Sequence, residues 1–584
     1  MVTVTEEIGS ILLADCGTVT TKAVLLEKVA GRYRFVAQGE TLTTTEYPWM
    51  DVAEGIRHAA EQIAAVTGRK FLDSSRELIS PEEPGRRGVD VFAATASASP
   101  SLEVVLGGLV RDLSVASMER AAAGTYSLVK GVLACDGQVA GGRRRHLSDA
   151  ERVRLVYDAA PDVVCIAGGI EGGAVGPVLE LVETVALAGA LMDPDSRPLL
   201  LYAGNSRLHK YITRLAGKWV REIRTVDNVR PTLTDENLHA AREELYNLYI
   251  QEKMGLLPGY ESLAEWSAIP LTPTASAFGR LLRYLWHLGD QSKGILGIDL
   301  GGANTTIAAV FDDRLYLTIR GDLGVAFGGA RFAEERGPER LLRWLPDEMS
   351  GDALLGMLIN KEMHPASVPQ EGREVRVEQA LAREAIRTAM ATARPGWRPG
   401  EAQLYPRLLP LCDKILISGD TLARAPRPGQ AALTVIDAVE PIGVCTLVLD
   451  VYGMAAALGN VASLSPQAAV EALESGALTN LATVIAPVGR SRPGDLILKV
   501  GVTYDDGSTF DVEVHYGNIE VLPLPPGQEA ELELRPARHI DVGLGGPGKS
   551  GKQRVSGSLV GLIIDGRGRP LTVSGKPEER RAQM

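Results

Sequence analysis

Asp15 and Asp299 each close an apolar, β-prone run and are each followed by glycine and then by threonines, in ILLADCGTVTTKAVLL at 11–26 and ILGIDLGGANTTIAAV at 295–310. That order of residue types suits a β-hairpin built to hold a phosphate. In the first copy Gly17 lets the turn expose backbone N–H groups, and Thr18, Thr20 and Thr21 add hydroxyl donors. The second copy repeats the plan with Gly301, Gly302, Asn304, Thr305 and Thr306. A carboxylate beside a phosphate cradle repels its ligand unless a divalent cation lies between them. Asp15 and Asp299 are therefore the candidate holders of Mg²⁺, through water, and two such hairpins facing each other imply magnesium nucleotide in a cleft. The residues assign no general base, and Lys22, just past the first hairpin, reads as a strand residue facing solvent.

The elements that must carry these residues follow from periodicity. Strand signals flank each hairpin, with a third strand at 32–40 and a helix at 51–66 after the first. Strand and helix signals then alternate from 89 to 230, the pattern of a parallel doubly wound sheet, with Ser148 and Glu151 forming a capping box. Helices are expected over 234–254, 276–288, 330–344, 350–361 and 377–393. KILISGD at 414–420 reads as a buried strand ending in a glycine turn, and DVYGMAAALGNVA at 450–462 as a small-residue helix packed closely on a neighbour. Beyond Pro487 the alternation becomes that of β-strands, and a charged tail follows residue 573.

Length and composition narrow the classes. A chain of 584 residues exceeds one core. The formal charge of −12 disfavours nucleic-acid or anionic-membrane partners, and 5% aromatics leave little for base stacking. Arg143, Arg144 and Arg145 read as a solvated loop. Five cysteines without CxxC spacing read as reduced thiols with no zinc framework. No signal pattern and no membrane-length apolar stretch is visible, so the expectation is a soluble cytoplasmic protein.

Two motifs invite other readings. AGGIEGG at 167–173 lacks GxGxxG spacing and reads as a backbone close approach bearing Glu171, in place of an NAD or FAD site. GLGGPGKS at 543–550 fits a P-loop by letters, but the Gly-broken, β-branched stretch after it does not read as the helix a P-loop needs, so a loop in the β region is expected.

The order of hairpin, helix, hairpin, strand–glycine turn and small-residue helix resembles the actin, hexokinase and heat-shock-chaperone ATPase superfamily. That resemblance implies that Asp15 and Asp299 organise metal and attacking water and that the Gly and Thr residues hold phosphates. It places Gly419 and Asp420 in an adenosine loop, with Asp420 standing where the superfamily usually has glycine. Ala455, Ala456, Ala457 and Gly459 would let two connecting helices cross closely. The segments AGGIEGG, LLYAGNSR (200–207) and GLIIDGRGRPL (561–571) narrow the resemblance to the glutamate mutase L family, with Glu171 where members usually carry Asp.

The fold expected from this resemblance is α/β. It is a two-lobed actin-like ATPase with an inserted doubly wound α/β domain and a C-terminal β domain. The expected divisions are 1–88 and 231–294 for the first lobe, 89–230 for the insertion, 295–486 for the second lobe and 487–584 for the β domain and tail. The implied activity is ATP-dependent reactivation of an adenosylcobalamin-dependent carbon-skeleton mutase, with ATP and Mg²⁺ as ligands, the mutase as protein partner, and an open oligomeric state. A small-metabolite kinase of the same superfamily and an actin-like scaffold are the alternatives.

Overall fold

The computed structural model describes residues 8–140, 143–398 and 405–573, with only the backbone described for 138–140 and 143–144. The tail expected beyond 573 and the side chains of Arg143 and Arg144 therefore lie outside the described atoms. The chain forms two compact units. The first takes residues up to Ala98, Pro258–Leu317 and those from Asp322 onward; the second takes Ser99–Leu257 with Thr318–Gly321.

The first unit is built on one strand plan used twice. Ser10–Cys16 is apolar on both faces and buried, which makes it a central strand. It pairs antiparallel with Thr20–Val29, which pairs antiparallel with Arg32–Leu42. On its other side Val91–Ala96 runs parallel to it, and Thr272–Pro273 parallel to that. Gly294–Leu300 repeats the arrangement, with Thr305–Phe311 antiparallel on one side and Cys412–Ser418 then Gly443–Leu449 parallel on the other. In both sheets the order is third, second, first, fourth, fifth strand. This is the two-lobed actin-like ATPase fold.

Helices Thr274–Leu288 and Ala455–Leu464 connect the lobes and cross as the small residues require: a Cβ on Gly459 would sit 1.9 Å from the Ala277 carbonyl oxygen. The second helix starts later than the 450–462 pattern suggests, because Asp450 lies ahead of it and accepts from the amides of Met454 and Ala455 at 2.8 and 2.9 Å.

The second unit holds a five-stranded parallel sheet in the order Ile223–Thr225, Leu199–Tyr202, Val163–Ala167, Leu102–Gly108, Ser127–Ala134. Helices Asp149–Ala159 and Gly176–Leu191 follow its strands, the former with the expected capping box at Ser148 and Glu151. Its limits differ from 89–230. Val91–Ala96 is hydrogen-bonded into the first unit's sheet, so the second unit begins later. It ends later too, since helix His239–Glu252 buries Leu245, Leu248 and Tyr249, and the Tyr249 ring stacks on Tyr126 at 5.2 Å.

The region after 487 also departs from a separate β domain. Leu496–Tyr504, Thr509–His515, Glu529–Pro536 and Gly551–Ser556 form a four-stranded antiparallel sheet. Leu562–Asp565, however, is buried throughout and pairs parallel with Thr479–Ala486, extending the second lobe's sheet to eight strands with Ile519–Leu522 at its edge. A run apolar on both faces needs a covered sheet, which the lobe supplies. Among the described residues no helix is long and apolar enough to cross a membrane.

Candidate functional site

The two hairpin turns meet. A Cβ on Gly302 would lie 2.5 Å from the Val19 side chain, so the second turn rests directly on the first. Around this contact opens a cavity of about 370 Å³, within the size range of small-ligand pockets. Its walls include Asp15, Gly17, Thr18, Val19, Thr20 and Lys22 from the first lobe, and Asp299, Gly301, Gly302, Asn304, Gly419 and Asp420 from the second.

Strand register explains which hairpin residues arrive there. Asp15 is opposite Lys22 and beside Thr95; Asp299 is opposite Thr306 and beside Ser418. Thr21 and Thr305 do not join the cleft. The alternation of a strand turns them away, and both are fully buried. The Thr21 hydroxyl pairs with that of Thr43 at 3.1 Å, and Thr305 donates to the Leu323 carbonyl at 2.8 Å. Thr306 is also buried, with its hydroxyl unpartnered. Thr18 faces the cavity while donating to the Ser97 carbonyl at 3.1 Å.

The two aspartates are held differently. Asp15 Oδ1 accepts from the hydroxyls of Thr95 and Thr274 at 2.6 and 2.7 Å. Burial pushes its carboxyl above the ordinary range, while those two hydroxyls pull it back. No donor among the described residues bonds the Asp299 carboxylate. Burial first, then the charges of Asp15 and Asp450, push it up to about 7. Both carboxylates line the same cavity. Two acids on one cavity wall suit a divalent cation, and Asp15 and Asp299 are the residues that would hold one.

Lys22 departs from the solvent-facing expectation. Its Nζ donates to Asp420 Oδ1 at 2.5 Å, and only 12% of its side chain is exposed. Gly419, at φ +112°, lies against the end of the central strand, where a Cβ would be 2.2 Å from the Leu300 carbonyl oxygen. Asp450, read from sequence as helical, is fully buried and accepts from the Ser418 hydroxyl at 2.9 Å, tying the glycine turn to the second connecting helix. TLVLD at 446–450 ends an apolar run in Asp as both hairpin strands do, a signal that was available. Thr95 and Thr274 had none, since only distant pairing brings them to Asp15.

The competing motifs resolve as loops. Gly543–Ser550 leads into strand Gly551–Ser556, so no helix N-terminus backs it. In the second unit Glu171 accepts from the Ser206 hydroxyl at 2.7 Å and Asn228 Nδ2 at 2.8 Å, which ties the AGGIEGG turn to the loops after Leu199–Tyr202 and Ile223–Thr225.

Residues 11–476 match the family model described as MutL protein. Protein MutL of Clostridium tetanomorphum is 24% identical over 399 residues, covering 65% of this chain and 77% of its own length. Among solved structures, nucleotide-free acetone carboxylase is similar at 10% identity over 88% of this chain and 82% of its own, with a TM-score of 0.30. Xylulose kinase from Bifidobacterium adolescentis is similar at 11% identity over 79% and 93%, with a TM-score of 0.26. What identifies the fold is the strand order shared by the two sheets.

Proposed function

The chain belongs to the MutL protein family, and on that premise we propose that it is an ATP-dependent accessory factor that reactivates an adenosylcobalamin-dependent carbon-skeleton mutase of the glutamate mutase type. The observation that carries the nucleotide half of this reading is the contact of Gly302 on Val19, which brings two acid-bearing turns to one cavity. The mutase half follows from the family resemblance carried by AGGIEGG, LLYAGNSR and GLIIDGRGRPL.

In this reading the Gly17 and Gly301 amides close their own turns, donating to the Thr20 and Asn304 carbonyls at 3.0 and 2.9 Å, and the other amides of the two turns bind phosphate oxygens, aided by the side chains of Thr20 and Asn304. Mg²⁺ held by Asp15 and Asp299 through water would neutralise developing charge on the terminal phosphate. Thr95 and Thr274 fix the Asp15 carboxylate. Gly419 gives the adenosine a bare backbone surface. The crossing at Gly459 and Ala277 lets the lobes change angle with little side-chain obstruction, which is the conformational input that a mutase clogged by damaged cofactor needs.

The test is rescue. A purified mutase inactivated by turnover should regain activity with this protein, ATP, Mg²⁺ and fresh adenosylcobalamin, and not when ATP is omitted. Equal recovery without ATP, or none with any candidate mutase, would reject the reading.

A further inference from the structure

Lys22 and Glu40 are register partners on neighbouring strands of the first lobe, and Asp420 and Arg424 are four residues apart at the adenosine turn of the second. The charges alternate around a square. Lys22 donates to Asp420, Arg424 donates to Glu40, and Arg424 Nε stands 3.8 Å from Asp420 Oδ1. A sheet edge carrying plus and minus thus meets a helical turn carrying minus and plus, across the mouth of the cavity that Lys22, Glu40, Asp420 and Arg424 all line. Gly453 keeps the remaining wall bare for the lysine: a Cβ there would fall 2.7 Å from Nζ.

Lys22 lies opposite Asp15 at the root of the first hairpin, so its ammonium is the group that hairpin offers to a phosphate. That charge is already taken by Asp420. We propose that Asp420 is a positioning residue that holds Lys22 in reserve, and that nucleotide entry exchanges the Asp420 carboxylate for a phosphate oxygen on Lys22. This rests on reading the cleft as a nucleotide site. Arg424, with Nε already 3.8 Å from Asp420 Oδ1, is placed to receive the released carboxylate, and Glu40, with 23% of its side chain exposed, is left to water. As Arg424 turns to Asp420 it leaves Glu40, and both ties between the lobes are undone together. Nucleotide occupancy is thereby converted into loosening at the cleft mouth.

A double-mutant cycle tests it, with Asp420→Asn and Lys22→Met alone and combined, read by calorimetric affinity for magnesium ATP. Asp420→Asn should tighten binding about tenfold, the scale of coupling between contacting residues, and should change nothing when Lys22 is already methionine. Weaker binding by Asp420→Asn would mean that Asp420 touches the nucleotide or its metal, and equal tightening without Lys22 would mean simple repulsion. Either overturns the proposal. Amide hydrogen exchange of the ligand-free protein separates this from the premise. Asp420→Asn should speed exchange across Gly419–Arg424 even if ATP proves not to be the ligand, and unchanged exchange would show that the pair ties nothing.

Discussion

Two groups of carboxylates in the first unit are treated in opposite ways, one sealed in the core and the other half-buried on a cavity wall. Asp437 and Asp565 are fully buried and meet three guanidinium groups: Arg383 and Arg567 donate to Asp437 at 2.9 and 2.8 Å, and Arg567 and Arg569 to Asp565, each at 2.9 Å. Burial alone would raise the Asp565 carboxyl, but Arg569 and Arg567 outweigh it and hold it at about 2. Among the described residues Asp15 has two hydroxyl donors and Asp299 has none, and Asp299 is pushed up to about 7. The first group is electrostatically complete and fastens the chain after Leu562–Asp565 to the lobe. The second has no such cationic side chains bonded to it among the described residues, and the proposed reading assigns that place to a cation.

The contrast predicts where substitutions will be felt. Asp299→Ala should lower ATP turnover by at least about 100-fold, the usual cost of losing a group that stabilises transition-state charge, in an ADP-release assay, with the fold intact by circular dichroism. Arg567→Met should do the reverse. It removes the guanidinium shared by two buried carboxylates, leaving Asp437 with Arg383 and Asp565 with Arg569, and should cost about 3–5 kcal/mol of stability in denaturant titration. Measured at a temperature where the variant remains folded, its nucleotide affinity should be unchanged. If Arg567→Met spared stability and damaged ATP binding, the two groups would not differ as described.

The pH dependence sharpens the same comparison. Asp565 titrates lower when folded, so its contribution is present above the unfolded value of about 4 and is lost as pH falls toward about 2. Asp299 titrates higher when folded, so the ligand-free protein should lose stability as pH rises from about 4 through about 7. Asp299→Asn should therefore raise the ligand-free Tm at pH 8 and leave it nearly unaltered at pH 4. A Tm gain equal at both pH values would show that the aspartate is not held above its ordinary range. The smallest effect is expected at Lys549, in the loop that only spells a P-loop: Lys549→Ala should leave ATP turnover as it is.

What the sequence disclosed and what it concealed divide along the range of the interactions. The hairpins were legible because strand alternation, glycine and the terminal Asp are all local. Lys22 was misread because its burial is made by Asp420, 398 residues away, which no local pattern reports. Thr21 and Thr305 were included by residue type, although strand alternation already turns them from the cleft. Asp450 was absorbed into a helix by the alanines after it, when its place at the end of an apolar run marked it as a strand end. The second unit was expected to begin too early because Val91–Ala96 alternates like its neighbours, and only its parallel pairing with Ser10–Cys16 assigns it to the first sheet. GLIIDGRGRPL, which helped to carry the family resemblance, turns out to be a structural fastening: its acid and both its arginines belong to the completed ion cluster.

The central claim is that Asp15 and Asp299 meet on one cation-bound nucleotide. Calorimetry of magnesium ATP binding at pH 7, repeated in buffers of different ionisation enthalpy, tests it most directly, because a cation arriving at a carboxyl that titrates near 7 must displace protons. The account predicts binding with measurable proton release that disappears in Asp299→Asn. Absence of adenine nucleotide uptake, or uptake whose proton release is the same in that variant, would contradict it.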